Sequence, residues 1–219
     1  MSNTALVKWG LAASLCIAVG GAIVASRLPT DTQLPIHWNA SGDIDGYADK
    51  WLALMTAPLL SAFITLVLYG STRIDPRQDN INRSAPFIKM MLFALIGLFA
   101  LIQVVIASYG LGIHLQAQRI IMGSCAAMFL ITGNYLPKTR PNFFFGIRTP
   151  WTLSNDEIWV KTHRLAGYAT VAAGVVILGI SLLGPTGRDT LHLEIGVAVA
   201  AGIVPIIYSY LLWRALPNR

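Results

Sequence analysis

The 219-residue sequence predicts an all-α, polytopic membrane protein of about six transmembrane helices, with N-terminus and C-terminus both cytoplasmic. Three observations carry that expectation. Hydrophobic residues make up 55% of the chain and charged ones 12%, about half the ~25% charged content typical of soluble domains. Six apolar stretches come close to or exceed the about 20 residues a helix needs to cross a bilayer. Lys and Arg are spread unevenly over the segments that join these stretches. With the N-terminus inside, 12 of the 16 (Lys8, Arg73, Arg77, Arg83, Lys89, Lys138, Arg140, Arg148, Lys161, Arg164, Arg214, Arg219) lie inside and four lie outside. Short loops biased in this way orient a chain with its cations in the cytoplasm. The net charge of +6 therefore points to basic cytoplasmic turns rather than to direct contact with nucleic acid.

The first apolar stretch, residues 6–26, has the Lys8 start and Ala25-Ser26 end of a signal peptide. Its apolar part exceeds an h-region of about 7–15 residues, so an uncleaved span is expected. An extracytoplasmic loop at 28–50 and a second span at 51–70 complete an N-terminal two-span unit, residues 1–70. Residues 71–219 form a four-span unit with spans at 87–109, 120–136, 165–183 and 193–213 and a cytoplasmic loop at 137–164. The fourth span is short and interrupted by Gly123, Ser124 and Cys125. Ala166, Thr170 and Gly174 on the fifth span, and Ala198 and Gly202 on the sixth, form rows of small residues suited to close helix packing. Pro205 is expected to kink the last span and free a carbonyl for a neighbour. Cys16 and Cys125 both lie in apolar runs and read as packing residues.

Polar detail concentrates in the two long loops. In the outer one, His37, Trp38, Asn39, Asp45 and Tyr47 are candidate binding residues, and Trp38, Tyr47 and Trp51 suit the aromatic belt of an interface. His37 stands among Asp31, Asp43, Asp45 and Asp49, with His114, Asp189, His192 and Glu194 expected on the same side. A divalent cation, a recognition surface and a solvated loop all fit. Metal ligands must converge to about 2 Å, which spacing alone does not show, and no metal or cofactor is assigned.

In the inner loop, Pro137, Pro141, Pro150 and Gly146 exclude a continuous helix. The run Phe143–Phe145 beside Arg140 and Arg148 suits the headgroup level. Candidate binding residues here are Pro141, Asn142, Gly146, Arg148, Thr149, Trp151, Trp159 and His163. Arg148 is expected to grip a carboxylate, helix-end carbonyls or a lipid phosphate, as a clamp or as a contact for a partner. Ser154-x-x-Glu157 has the form of a capping box, and Glu157 precedes Lys161 by four residues. Asp156, Trp159 and His163 fall on one helical face, where His163 is either hydrogen-bonded to a neighbour or free to titrate. No G-x-S-x-G, H-E-x-x-H or P-loop occurs and no carboxylate stands in mid-membrane, so no enzyme is expected.

The inner loop, Pro137-x-x-Arg140-Pro141-Asn142-x-x-x-Gly146-Ile147-Arg148-Thr149-Pro150-Trp151-Thr152-Leu153-Ser154-Asn155-x-x-x-Trp159-x-x-Thr162-His163-Arg164, resembles the signature of the SdpI family of bacterial membrane proteins. Leu34-Pro35-Ile36-His37-Trp38-Asn39, followed by Gly42-Asp43-Ile44-Asp45-Gly46-Tyr47, resembles the small N-terminal domain often found on that family. The resemblance implies a multi-pass protein of the bacterial cytoplasmic (inner) membrane. It also implies immunity against a secreted, membrane-active toxin peptide, and signalling by holding a soluble repressor at the membrane. On that reading the outer loop meets the peptide, the basic inner loop meets the repressor, and lipids surround both. The alternative is a transporter or lipid-binding protein with a central cavity, for which Gln103, Ser108, Ser124 and Thr132 are the polar groups on offer.

Overall fold

The computed structural model describes residues 3–216, so Arg219 of the inner cation set lies outside the described residues. Seven α-helices occur in the order α1 (Asn3–Arg27), α2 (Lys50–Ile74), α3 (Gln78–Gly110), α4 (Ala117–Tyr135), α5 (Pro150–Ser154), α6 (Asp156–Leu183) and α7 (Arg188–Arg214). All but α5 are long and apolar enough to cross a membrane, so six spans are present among the described residues. The expected all-α, six-span class stands, with one addition. The outer loop contains two antiparallel strands, β1 (Gln33–Trp38) and β2 (Ile44–Asp49).

The helices outrun the apolar stretches that announced them. α3 starts at Gln78 and α6 at Asp156, each about nine residues before its apolar run, so both project polar turns beyond the hydrocarbon. Each span packs on its neighbour in chain order, α4 against α6 in place of the short α5, and α1 also reaches α3. Large apolar side chains such as Leu15, Phe63 and Leu183 face outward, where lipid replaces water as the solvent.

Close approach between helices follows the small residues only in part. A Cβ on Gly167 would lie 2.8 Å from the Gly133 carbonyl, and one on Gly174 would lie 3.0 Å from the Ala126 carbonyl, so α4 and α6 meet backbone to backbone. On α7 the expected row fails. Gly202 has nothing within 4 Å, because α7 touches the bundle along a different stripe. α7 runs as one helix through Pro205. The freed-carbonyl argument applies clearly at Pro58 in α2. Pro58 has no N–H for the Leu54 carbonyl four residues earlier, and Gln103 Nε2 of α3 donates to that carbonyl at 2.9 Å.

Two apolar clusters tie the spans to the loops at either end. At the end that carries the hairpin, expected to be the outer one, Leu34 of β1 is fully buried with Ala25, Ala53, Leu54 and Ile106. At the inner end Phe145 enters a cluster with Leu6, Ile81, Phe87, Ile88, Leu92 and Ile96. Each loop thus sends one large side chain into the bundle and is seated by it.

Candidate functional site

At the outer end the hairpin is closed by local hydrogen bonding. The Asn39 side-chain oxygen accepts from the Ser41 and Asp43 amides at 2.8 and 3.0 Å, and Gly42 takes φ +88°, which only glycine adopts freely. The pairing slips on either side of His37, which lies opposite Gly46. That irregularity sets His37 Nδ1 2.5 Å from Asp45 Oδ1, on an exposed surface. Asp49 caps α2 by accepting from the Trp51 amide at 2.9 Å. Buried Lys50 donates to the Leu28 and Pro29 carbonyls at 2.6 and 3.0 Å, so this cation is absorbed by the end of α1. Tyr47 is exposed beside Tyr109, and hydrogen bonding between them raises the Tyr47 phenol above its ordinary pKa.

Two cavities open beneath this hairpin, of about 350 and 280 Å³. The larger has Tyr109, His114, Asp43 and Thr186 in its walls; the smaller has Ile102, Met122 and Leu191. Trp38 lines both, with Gly42 and Gln118. The hairpin therefore brings Trp38, His37 and Asn39 together around a real concavity, whereas Tyr47 lies to one side. Tyr109, His114 and Gln118 join this site from α3, α4 and the turn between them. Sequence reasoning placed His114 only among groups on one side weighed for a cation and did not single out Tyr109 or Gln118, because their approach depends on where the hairpin folds back. Among the described residues no group of three or more His, Cys, Asp or Glu converges to hold a metal.

At the inner end residues 139–155 fold over the α2–α3 turn. Asn142 is fully buried and uses its whole side chain. Its Nδ2 donates to the Arg140 and Phe145 carbonyls at 2.8 and 3.1 Å, and its Oδ1 accepts from the Phe144 and Phe145 amides at 2.9 and 2.6 Å. Buried Asp75, in the α2–α3 turn, accepts from the Arg77 amide at 2.7 Å and the Phe143 amide at 2.8 Å, linking the two loops. Asn80 donates to the Pro141 carbonyl at 2.7 Å, Ser84 accepts from the Arg140 amide at 2.9 Å, and Arg77 lies 4.8 Å from the centre of the Phe143 ring. Asp75, Asn80 and Ser84 escaped the sequence reading. An Asp-Pro step straight after an apolar span was their one signal.

Trp159 and His163 are fully buried and stacked, ring centres 4.0 Å apart. Asp156 is exposed at the helix start, so the expected three-residue face divides. His163 Nε2 accepts from the Ile147 amide at 2.9 Å, which leaves Nδ1 to donate to the Trp159 carbonyl at 2.8 Å. Both ring nitrogens are thus engaged as a neutral imidazole. Gly146 beside it takes φ +99° and packs its Cα against the ring. The expected capping box at Ser154 is corrected. Ser154 is the last residue of α5, and the caps are Thr149, which accepts from the Thr152 amide, and Asn155, which accepts from the Ile158 amide at 3.0 Å. Asn155 won because its extended backbone ends α5 and starts α6 in one residue. The Glu157–Lys161 pair forms at 2.6 Å. Trp151 donates to Ser209 at 2.6 Å and packs on Tyr210 and Trp213, while exposed Arg148 donates to the Phe143 carbonyl at 2.7 Å.

Residues 138–209 match the SdpI/YfhL protein family, and residues 12–70 match a domain of unknown function, DUF1648. The chain is 24% identical over 188 residues to the immunity protein SdpI of Bacillus subtilis (strain 168), an overlap of 84% of this chain and 85% of that one. No solved structure matches. The resemblance drawn from the two loops is borne out in both halves, and with six apolar helices the chain is a multi-pass bacterial membrane protein similar to SdpI.

Proposed function

We propose that this SdpI-like chain is an immunity protein whose hairpin-covered outer end recognises a secreted, membrane-active toxin peptide. The observation that carries the reading is Trp38, a half-buried indole standing between two cavities, the place where an apolar anchor of a partner would seat. Charge favours a cationic peptide. Asp43 lines the larger cavity, while Lys50 and Arg119 on the same end are bound to carbonyls. The inner surface would serve a soluble repressor through what the loop leaves exposed, Arg148 foremost.

The transporter alternative draws little support, because each polar group named for it commits a donor to the backbone. Gln103 bonds the Leu54 carbonyl, Ser108 that of Val105, Ser124 that of Ile120 and Thr132 that of Met128. The test is survival of toxin-challenged cells expressing variants at matched membrane abundance. Trp38→Ala should abolish protection, since truncating a buried aromatic anchor costs roughly 2 kcal/mol or more. Asp49→Asn should protect like the parent, because asparagine caps a helix equally well. Full protection by Trp38→Ala and by a chain with residues 37–47 replaced would move recognition elsewhere.

A further inference from the structure

Glu194 is 1% exposed, about two turns into α7, and its one hydrogen bond is from the Ser181 hydroxyl of α6 at 2.8 Å. No ion pair reaches it; those among the described residues join His37 to Asp45 and Glu157 to Lys161. The charged and titratable groups around it are few. Cys125 of α4 lies within electrostatic reach. Arg119 of α4 is bound to the Leu182 and Gly184 carbonyls at 2.8 and 3.1 Å. Asp189 and His192, nearer the start of α7, are exposed. From α6 only the neutral Ser181 faces the carboxyl.

A carboxylate taken out of water with a single hydroxyl partner carries an uncompensated charge, which a membrane-spanning bundle does not tolerate. The group must therefore be neutralised by a bound positive charge. Hard metal cations take about six or more oxygen ligands, and the carboxyl and one hydroxyl fall well short. A proton needs none beyond the carboxyl itself. The smaller outer cavity ends one helical turn short of the carboxyl. Met122 and Leu191 line the smaller outer cavity, and one helical turn further in along the same two helices stand Cys125 and Glu194.

We propose that Glu194, held by Ser181, is a proton-binding acid site where α4, α6 and α7 meet, reached from the smaller outer cavity. It requires no toxin and stands apart from the immunity reading. The probe is N,N′-dicyclohexylcarbodiimide, an apolar reagent that couples to protonated carboxyls and leaves a stable N-acylurea, applied to the full chain in detergent micelles and read by peptide mass mapping. Glu194 should be modified, faster as the pH is lowered and equally fast in sodium and choline chloride, while exposed Glu157 stays free. Glu194→Gln, which keeps the shape of the neutral acid, should fold with an undiminished thermal midpoint and remain unmodified at that position. An unmodified Glu194 in the folded parent overturns the proposal. Protection by sodium assigns the site to an alkali cation instead, and a clear loss of midpoint in Glu194→Gln means the carboxylate is charged and paired.

Discussion

Single residues decide how the inner loop holds its shape. Gly146 has a positive φ and no room for a Cβ against the His163 ring, so both backbone and packing demand glycine. Gly146→Ala should lower stability by about 1–3 kcal/mol, the usual cost of a residue held in a strained backbone region. The thermal midpoint of the detergent-solubilised chain measures it, and an unchanged midpoint would show that the loop can shift away from His163. Arg148 differs. Its guanidinium is exposed and makes one bond, to the Phe143 carbonyl, which an ammonium can also make. Arg148→Lys should therefore keep the parent's folded yield within about 1 kcal/mol of stability. If the residue meets a repressor, retention of that repressor at the membrane falls while yield holds. A collapse in yield would instead make Arg148 the clamp of this loop.

At the scale of elements, the α2–α3 pair shows the bundle correcting for an irregularity of its own. Pro58 leaves the Leu54 carbonyl without its helical donor, and Gln103 of the next helix supplies one. Gln103→Leu should thus destabilise by about 1 kcal/mol, the scale of an interhelical hydrogen bond in a membrane. In a Pro58→Ala background, where residue 58 regains its N–H, the same change should cost less. A double-mutant cycle on thermal midpoints tests the coupling, and strictly additive effects would break the link between the proline and the glutamine. Nothing in the structure partners Gln103 Oε1, which is buried without a hydrogen bond.

For the whole molecule, alternation of the six spans places the hairpin, the α3–α4 turn and the α6–α7 turn at one end and residues 136–155 at the other. From the distribution of Lys and Arg we propose that the hairpin end lies outside. Ser41 and Ser154 are both exposed, one at each end. In a background lacking Cys16 and Cys125, Ser41→Cys should react with an impermeant maleimide added to intact cells, and Ser154→Cys only after permeabilisation. Labelling of Ser154→Cys in intact cells would invert the topology, and with it the faces assigned to toxin and repressor.

Spans, their number and the family resemblance were legible in the sequence because each rests on local facts, namely runs of apolar residues and the order of side chains in two loops. Where helices end was less legible. α3 and α6 extend about two turns past their apolar runs because Gln78 onward and Asp156 onward are amphipathic turns packed on the inner loop. Ser154 and Asn155 both have capping side chains, and only the extended backbone of Asn155 shows which one caps. The hairpin's strands were hidden because Pro35 and Gly46 disfavour regular strand and the pairing slips beside them. The sites themselves belonged to tertiary structure. Trp38 was visible as an aromatic near an interface, but cavities on both sides of it need Tyr109, His114 and Leu191 from distant segments. Asp75 and Asn142 lie 67 positions apart, yet both hold the same backbone loop. Such contacts are set by how whole helices pack, since a hydrogen bond between remote segments leaves no period or spacing in the chain that forms it.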